Sequence, residues 1–104
     1  KMINFIKNIF GEKSPDFKKL ILHGAQIIDV RTPAEFENGN IRNATNIPLQ
    51  LLASEMKKLD VNKPIITCCE SGMRSASAKS MLMQNGFEVY NGGGWKALQN
   101  KLNK

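Results

Sequence analysis

An α/β domain with a mostly parallel sheet covered on both faces is the fold class that three observations predict. Short apolar, β-branched runs recur at 26–30, 63–68 and 87–90, and stretches with helical apolar spacing and cap residues lie between them. The chain has 104 residues, the size of one compact domain. Apolar residues at 41% against 23% charged suit a globular core rather than disorder. Residues 1–13 are set apart as an amphipathic segment with apolar positions 2, 3, 5, 6, 9 and 10. They read as a short helix packed on the domain or, in a sharper reading, as a weak membrane contact. The domain proper is expected over 14–104, opening with Ser14 as helix N-cap and Pro15 at the first helical position. That helix would carry Phe17, Leu20 and Ile21 and stop at Gly24. Gln26–Val30 reads as a buried strand, and Thr32-Pro33-Ala34-Glu35 as a capping box starting a short helix that ends at Gly39. A brief strand is expected over Ala44–Pro48, and a helix over 51–59 with apolar positions 51, 52, 56 and 59. Lys63–Cys68 is a strong strand, Ser75–Asn85 a helix closed by Gly86, and Phe87–Tyr90 a further strand. Gly92–Gly94 reads as a turn before a last helix from Trp95 to Leu102.

Charge and cysteine usage narrow the function classes. Fifteen Lys and Arg against nine Asp and Glu give a net charge of +6, but the cations are scattered with no run of four. With aromatics at only 7% there is no base-stacking platform, which argues against nucleic acid as a partner. No apolar run reaches the roughly 18 residues of a membrane span. Cys68 and Cys69 are adjacent, with Cα atoms about 3.8 Å apart, too close for ordinary disulfide geometry. Reduced thiols and a cytoplasmic location are the expectation, although Lys1 before Met2 leaves a removed export signal open. His23, the single histidine, falls at a helix end where it can meet the last carbonyls, so no metal site is expected.

The chemistry is expected where the second strong strand ends. Cys69 stands at a strand carboxyl end, where ligands gather in open α/β sheets, and Glu70-Ser71-Gly72-Met73-Arg74-Ser75 leads into a helix. Successive N–H groups in such a turn can form an anion-binding nest, and the helix dipole adds its positive end. Both fields favour a thiolate. Gly72 permits a tight turn, Ser71 and Ser75 offer hydroxyls, and Arg74 is a fixed cation. The sulfur of Cys69 is expected to be bared to solvent among inward-aimed amides.

Asp29-Val30-Arg31, Pro33-Ala34-Glu35-Phe36, Gly39, Ile41, Ala44, Asn46-Ile47-Pro48, Cys69 to Ser75 and Gly92-Gly93-Gly94-Trp95 together resemble a single-domain rhodanese over roughly Asp16 to Leu102. The resemblance implies a small doubly wound sheet and a sulfurtransferase without cofactor or metal. It implies Cys69 as sulfur carrier, with residues 70–75 wrapping its persulfide. Donors would be thiosulfate, a polysulfide or a protein persulfide, and acceptors a thiol or cyanide. A sulfur-relay protein is among the partners it implies, and a monomer is expected. A carrier or docking module without catalysis is the alternative. Asn40 and Asn43 depart from the family's usual His and Gly. Glu70, beside the sulfur, should weaken binding of the thiosulfate dianion. Counted from Cys68, the spacing to Arg74 is that of cysteine-dependent phosphatases, although Cys68 should lie inside the strand.

Other residues keep two readings. Arg74 is an anion clamp or a structural partner of the loop. Asp29 and Arg31 look catalytic but are read as hydrogen-bonded support between loops. Met73 is an apolar wall for the acceptor or filler, and Trp95 flanks the loop or packs the last helix. Met81, Leu82 and Met83 read as a core stripe.

Overall fold

Strands β1 (Gln26–Asp29), β2 (Thr45–Asn46), β3 (Ile65–Cys69) and β4 (Val89–Gly94) form one sheet of order β2–β1–β3–β4, every neighbouring pair parallel. The computed structural model describes residues 15–104, so segment 1–13 and the expected Ser14 cap lie outside the described residues. The α/β class with a parallel sheet flanked by helices is the class the sequence predicts. The chain steps outward from β1 to β2, then crosses back over β1 to β3. The strand order therefore reverses between β1 and β3, which places a crevice at their carboxyl ends.

β3 is buried at all five positions, as a central strand covered on both faces must be. Its side chains alternate. Ile65 and Cys69 join Ile28, Leu52, Ala78 and Leu82 on one face, while Ile66 and Cys68 join Phe17, Ile27 and Leu98 on the other. The helices α3 (Leu52–Glu55) and α4 (Met73–Gln84) cover the first face, and α1 (Phe17–Leu22) and α5 (Trp95–Leu102) the second. Each fully buried Leu or Ile contributes roughly 1.5–3 kcal/mol.

Local chemistry sets the helix ends, with some differences from expectation. The cap of α1 is Asp16, whose Oδ1 accepts the Lys19 N–H at 3.1 Å, so the helix begins two residues later than a Ser14 cap would place it. It closes on Gly24 at φ +94°, with Ala25 N–H donating to the Leu20 carbonyl and Gly24 N–H to that of Ile21. The capping box opens α2 (Pro33–Glu37) as the sequence predicts. The expected 51–59 helix is broken instead: a 3₁₀ turn at Leu49–Leu51, α3, then a second 3₁₀ turn at Met56–Lys58. Leu51 points to solvent, and only Leu52 and Met56, one turn apart, are fully anchored in the core.

The glycine run is the larger difference. Gly92–Gly94 is part of β4 rather than a turn, and the strand begins at Val89 rather than Phe87. Thr67 faces Asn91 and Cys69 faces Gly94, so β4 spends three steps where β3 spends two, and the extra residue is absorbed by Gly93 at φ +78°. A Cβ on Gly92 would sit 2.9 Å from the Thr67 carbonyl oxygen, and one on Gly94 2.8 Å from that of Glu70. Glycine is present because backbone approaches backbone here. Gly92→Ala is expected to lower stability by about 1–3 kcal/mol, the cost of overpacking. Thermal unfolding beside the exposed-site control Val61→Ala checks this, since the control should stay within about 0.5 kcal/mol of the parent.

Candidate active site

Cys69 is the last residue of β3, and α4 begins only four residues later, at Met73 rather than at Ser75. The earlier start follows from Gly72, which takes φ +105° as the N-cap and swings the chain from strand into helix within three residues. Ser75 thereby becomes the third residue of the helix. The first N–H groups of a helix have no partner within it. Here they turn to sulfur: Gly72 N–H lies 3.0 Å and Ser75 N–H 3.3 Å from Cys69 Sγ.

This convergence corrects one expectation. Cys69 is not bared to solvent but only 1% exposed. The amides approach to hydrogen-bonding distance, and the Ser75 hydroxyl stands 3.4 Å from the same sulfur, which leaves no room for bulk water. Burial on its own pushes the Cys69 thiol up. The Ser75 hydroxyl and the N–H groups of Ser75, Gly72 and Ser71 outweigh it, and the thiol sits below its ordinary value. Cys68 shows the contrast. It points to the opposite face, its thiol is pushed up by burial and then by the neighbouring Asp29 carboxylate, and no loop amide reaches it.

Ser75 is itself held. Its carbonyl accepts from Thr67 Oγ1 at 3.0 Å, and its Oγ lies 2.7 Å from Asn91 Oδ1 and 3.1 Å from the Gly72 carbonyl. Thr67 and Asn91 were not singled out from sequence. Two polar side chains in otherwise apolar strands were the available signal.

Two ion pairs frame the loop. Arg74 makes a two-pronged contact with Glu35, Nη1 to Oε1 at 2.8 Å and Nη2 to Oε2 at 3.0 Å, tying α4 to α2. The Arg74 hydrogen bonds, then the Thr32 N–H, hold the Glu35 carboxyl well below its usual range, at about 2. Glu35 thus has a second task beyond its cap. Arg31 is 1% exposed and clamps Asp29, with Nε 2.9 Å from Oδ1 and Nη2 2.7 Å from Oδ2. Its remaining N–H groups reach the carbonyls of Glu35 and Gly39, and Nη1 comes within 3.6 Å of Glu70. The Trp95 ring covers the guanidinium at 4.8 Å and packs so closely on Gly39 that a Cβ there would lie 2.9 Å from the indole. Glu70 and Ser71 stand at the mouth, and Met73 projects into solvent at 79% exposure rather than walling the site.

Among the described residues, no three His, Cys, Asp or Glu side chains gather as metal ligands, and no helix is long and apolar enough to cross a membrane. A surface cavity of about 770 Å³ opens at the other end of the sheet beside Lys18, Ile21, Gln26 and Arg42, and no site residue lines it.

Residues 14–101 match the family model of the rhodanese-like domain, and the chain belongs to that family. It is similar to YqhL of Bacillus subtilis, 42% identical over 80 residues that cover 75% of this chain and 64% of that protein. It is also similar to the thiosulfate sulfurtransferase GlpE of Pseudomonas syringae, 34% identical over 68 residues, 64% of each chain. Among solved structures, reduced Bacillus anthracis CoADR-RHD matches with a TM-score of 0.72 at 34% identity, over 84% of this chain and 16% of that one. The matched stretch thus spans less than two thirds of these proteins' lengths.

Asp29→Ala removes the buried carboxylate that Arg31 clamps and leaves only Glu70, at 3.6 Å, as a counter-charge, and the expected loss is about 3–5 kcal/mol. Chemical denaturation tests it. An effect under 1 kcal/mol would mean that Arg31 swings out to water.

Proposed function

We propose that the chain is a sulfurtransferase that carries a sulfane sulfur as a persulfide on Cys69. The observation that supports this best is the set of amides aimed at Sγ, which favours an anionic sulfur despite its burial. In the first half-reaction the Cys69 thiolate attacks the outer sulfur of the donor. An S–S bond forms, the donor's S–S bond breaks, and sulfite or a thiolate leaves with the electron pair. In the second, an acceptor thiolate or cyanide attacks the outer sulfur of the persulfide, and Cys69 departs as thiolate. No general base is required, because every attacking group is already ionised.

The N–H groups of Gly72, Ser75 and Ser71 stabilise the Cys69 thiolate before the first step and after the second. Between the steps the loop amides hold the anionic outer sulfur of the persulfide. Loss of one donor from such an anion cradle typically costs about 10²–10³ in rate. The loop must open slightly for each exchange, since it closes over the sulfur. Both nearby guanidiniums are paired, Arg74 with Glu35 and Arg31 with Asp29, and Glu70 is anionic at the mouth. That balance favours persulfides and organic polysulfides, which carry less charge, over the thiosulfate dianion as donor, and a thiol or a sulfur-relay protein as acceptor.

Intact mass after incubation with a polysulfide should rise by about 32 Da, one sulfur atom, in the parent and in Cys68→Ser, but not in Cys69→Ser. Discharge by cyanide or a thiol should then restore the original mass. Loading of Cys69→Ser, or of no form at all, would refute the assignment. Loading without discharge would leave a carrier rather than an enzyme.

A further inference from the structure

The Asn91 side chain belongs to no part of the chemistry above, yet it reaches the sulfur through one intermediary. Its Oδ1 accepts the Gly93 N–H at 2.8 Å, which fixes the orientation of the amide, since only oxygen can take that bond. The same Oδ1 lies 2.7 Å from Ser75 Oγ. An oxygen that cannot donate therefore faces a hydroxyl that owns one proton. The Ser75 hydroxyl has three neighbours that can take its proton: Asn91 Oδ1 at 2.7 Å, the Gly72 carbonyl at 3.1 Å and Cys69 Sγ at 3.4 Å. The shortest wins while the sulfur is a neutral thiol, and the Cys69 S–H then donates to the lone pairs of Ser75.

We propose that Asn91 is a positioning residue that parks the Ser75 hydroxyl proton and releases it to the sulfur when Cys69 ionises. Upon ionisation the thiol proton leaves to solvent, and a hydroxyl presenting lone pairs to an anion becomes repulsive. Rotation about the Ser75 Cβ–Oγ bond brings the O–H onto sulfur. Asn91 Oδ1 is not orphaned by the move, because it keeps the Gly93 N–H. The bulge that offsets β4 against β3 is what makes this possible, since it aims the Gly93 amide at Asn91. The rotor opposes ionisation until it turns, so Asn91 sets how far the thiol is depressed, and through that how readily Cys69 departs as thiolate when the acceptor takes the outer sulfur.

Ion pairs surround the loop and must be held constant in a test: Arg74 with Glu35, and Arg31 with Asp29 and, at the mouth, Glu70. The Cys68 thiol beside Cys69 on β3 is pushed up and stays neutral. The role rests on Cys69 as the reacting sulfur, but its readout does not need sulfur transfer. The pH dependence of iodoacetamide alkylation of Cys69, followed by peptide mass in the parent, Asn91→Ala, Asn91→Asp, Ser75→Ala and the Ser75→Ala/Asn91→Ala pair, is the experiment. Asn91→Ala frees the hydroxyl and should move the alkylation midpoint down, with a several-fold faster rate at pH 6. Asn91→Asp should move it up, with alkylation above pH 10 unchanged. In the Ser75→Ala background, Asn91→Ala should have no effect. A midpoint that rises in Asn91→Ala, as loosening of the amides would cause, overturns the proposal, and so does an equal shift with and without Ser75. Normal alkylation behaviour in protein that accepts no sulfur would instead count against the sulfurtransferase reading alone.

Discussion

A sulfur anion sealed from water is costly unless something replaces its hydration shell. At Cys69 the replacement is the start of helix α4, whose unpaired N–H groups converge on Sγ from Gly72 and Ser75. Much of the molecule serves that contact. The left-handed Gly72 lets the chain turn fast enough for the helix to begin within reach of the sulfur. The glycines of β4 let backbone press against backbone behind it, as the Gly94 position against the Glu70 carbonyl shows. Thr67 holds the Ser75 carbonyl from below. Remove any of these, and the amides lose their common focus before any bond to sulfur is broken.

Charge is arranged around the site in an economical way. The two guanidiniums that lie nearest are both committed, and the Arg31 cation, buried and covered by Trp95, ties the carboxyl end of β1 to the end of α2. Its contacts run from strand to helix to loop, so it rigidifies the crevice where the strand order reverses. Glu35 and Arg74 close the other side. The electrostatic work on sulfur is thus left to neutral dipoles, which stabilise a single negative charge without drawing in a second anion.

The sequence made the alternating strands and helices legible because their signals are local: β-branched runs, a capping box at Thr32–Glu35, glycine stops at 24 and 86. The cysteine and its loop were also visible, since a nucleophile followed by small residues and a helix start is a compact pattern. What escaped depended on tertiary contact. Gly92–Gly94 looks like a turn by propensity, and only the close approach of neighbouring backbone makes it a strand. The 51–59 stretch has helical spacing but too few anchored side chains to stay one helix. Arg74 pairs with a residue 39 positions away, a distance no spacing rule spans. Cys69 reads as exposed from sequence because a loop that can hold an anion implies an open cradle, whereas its donors close on the thiol itself.

The most direct test of the central contact is the pH titration of the backbone amide protons of Gly72 and Ser75 by NMR. Both should shift together with one midpoint, below the roughly 8.5 of a free cysteine, and both shifts should vanish in Cys69→Ala. Amides that do not respond, or that share a midpoint at or above the free-thiol value, would contradict the claim that the helix start holds a thiolate.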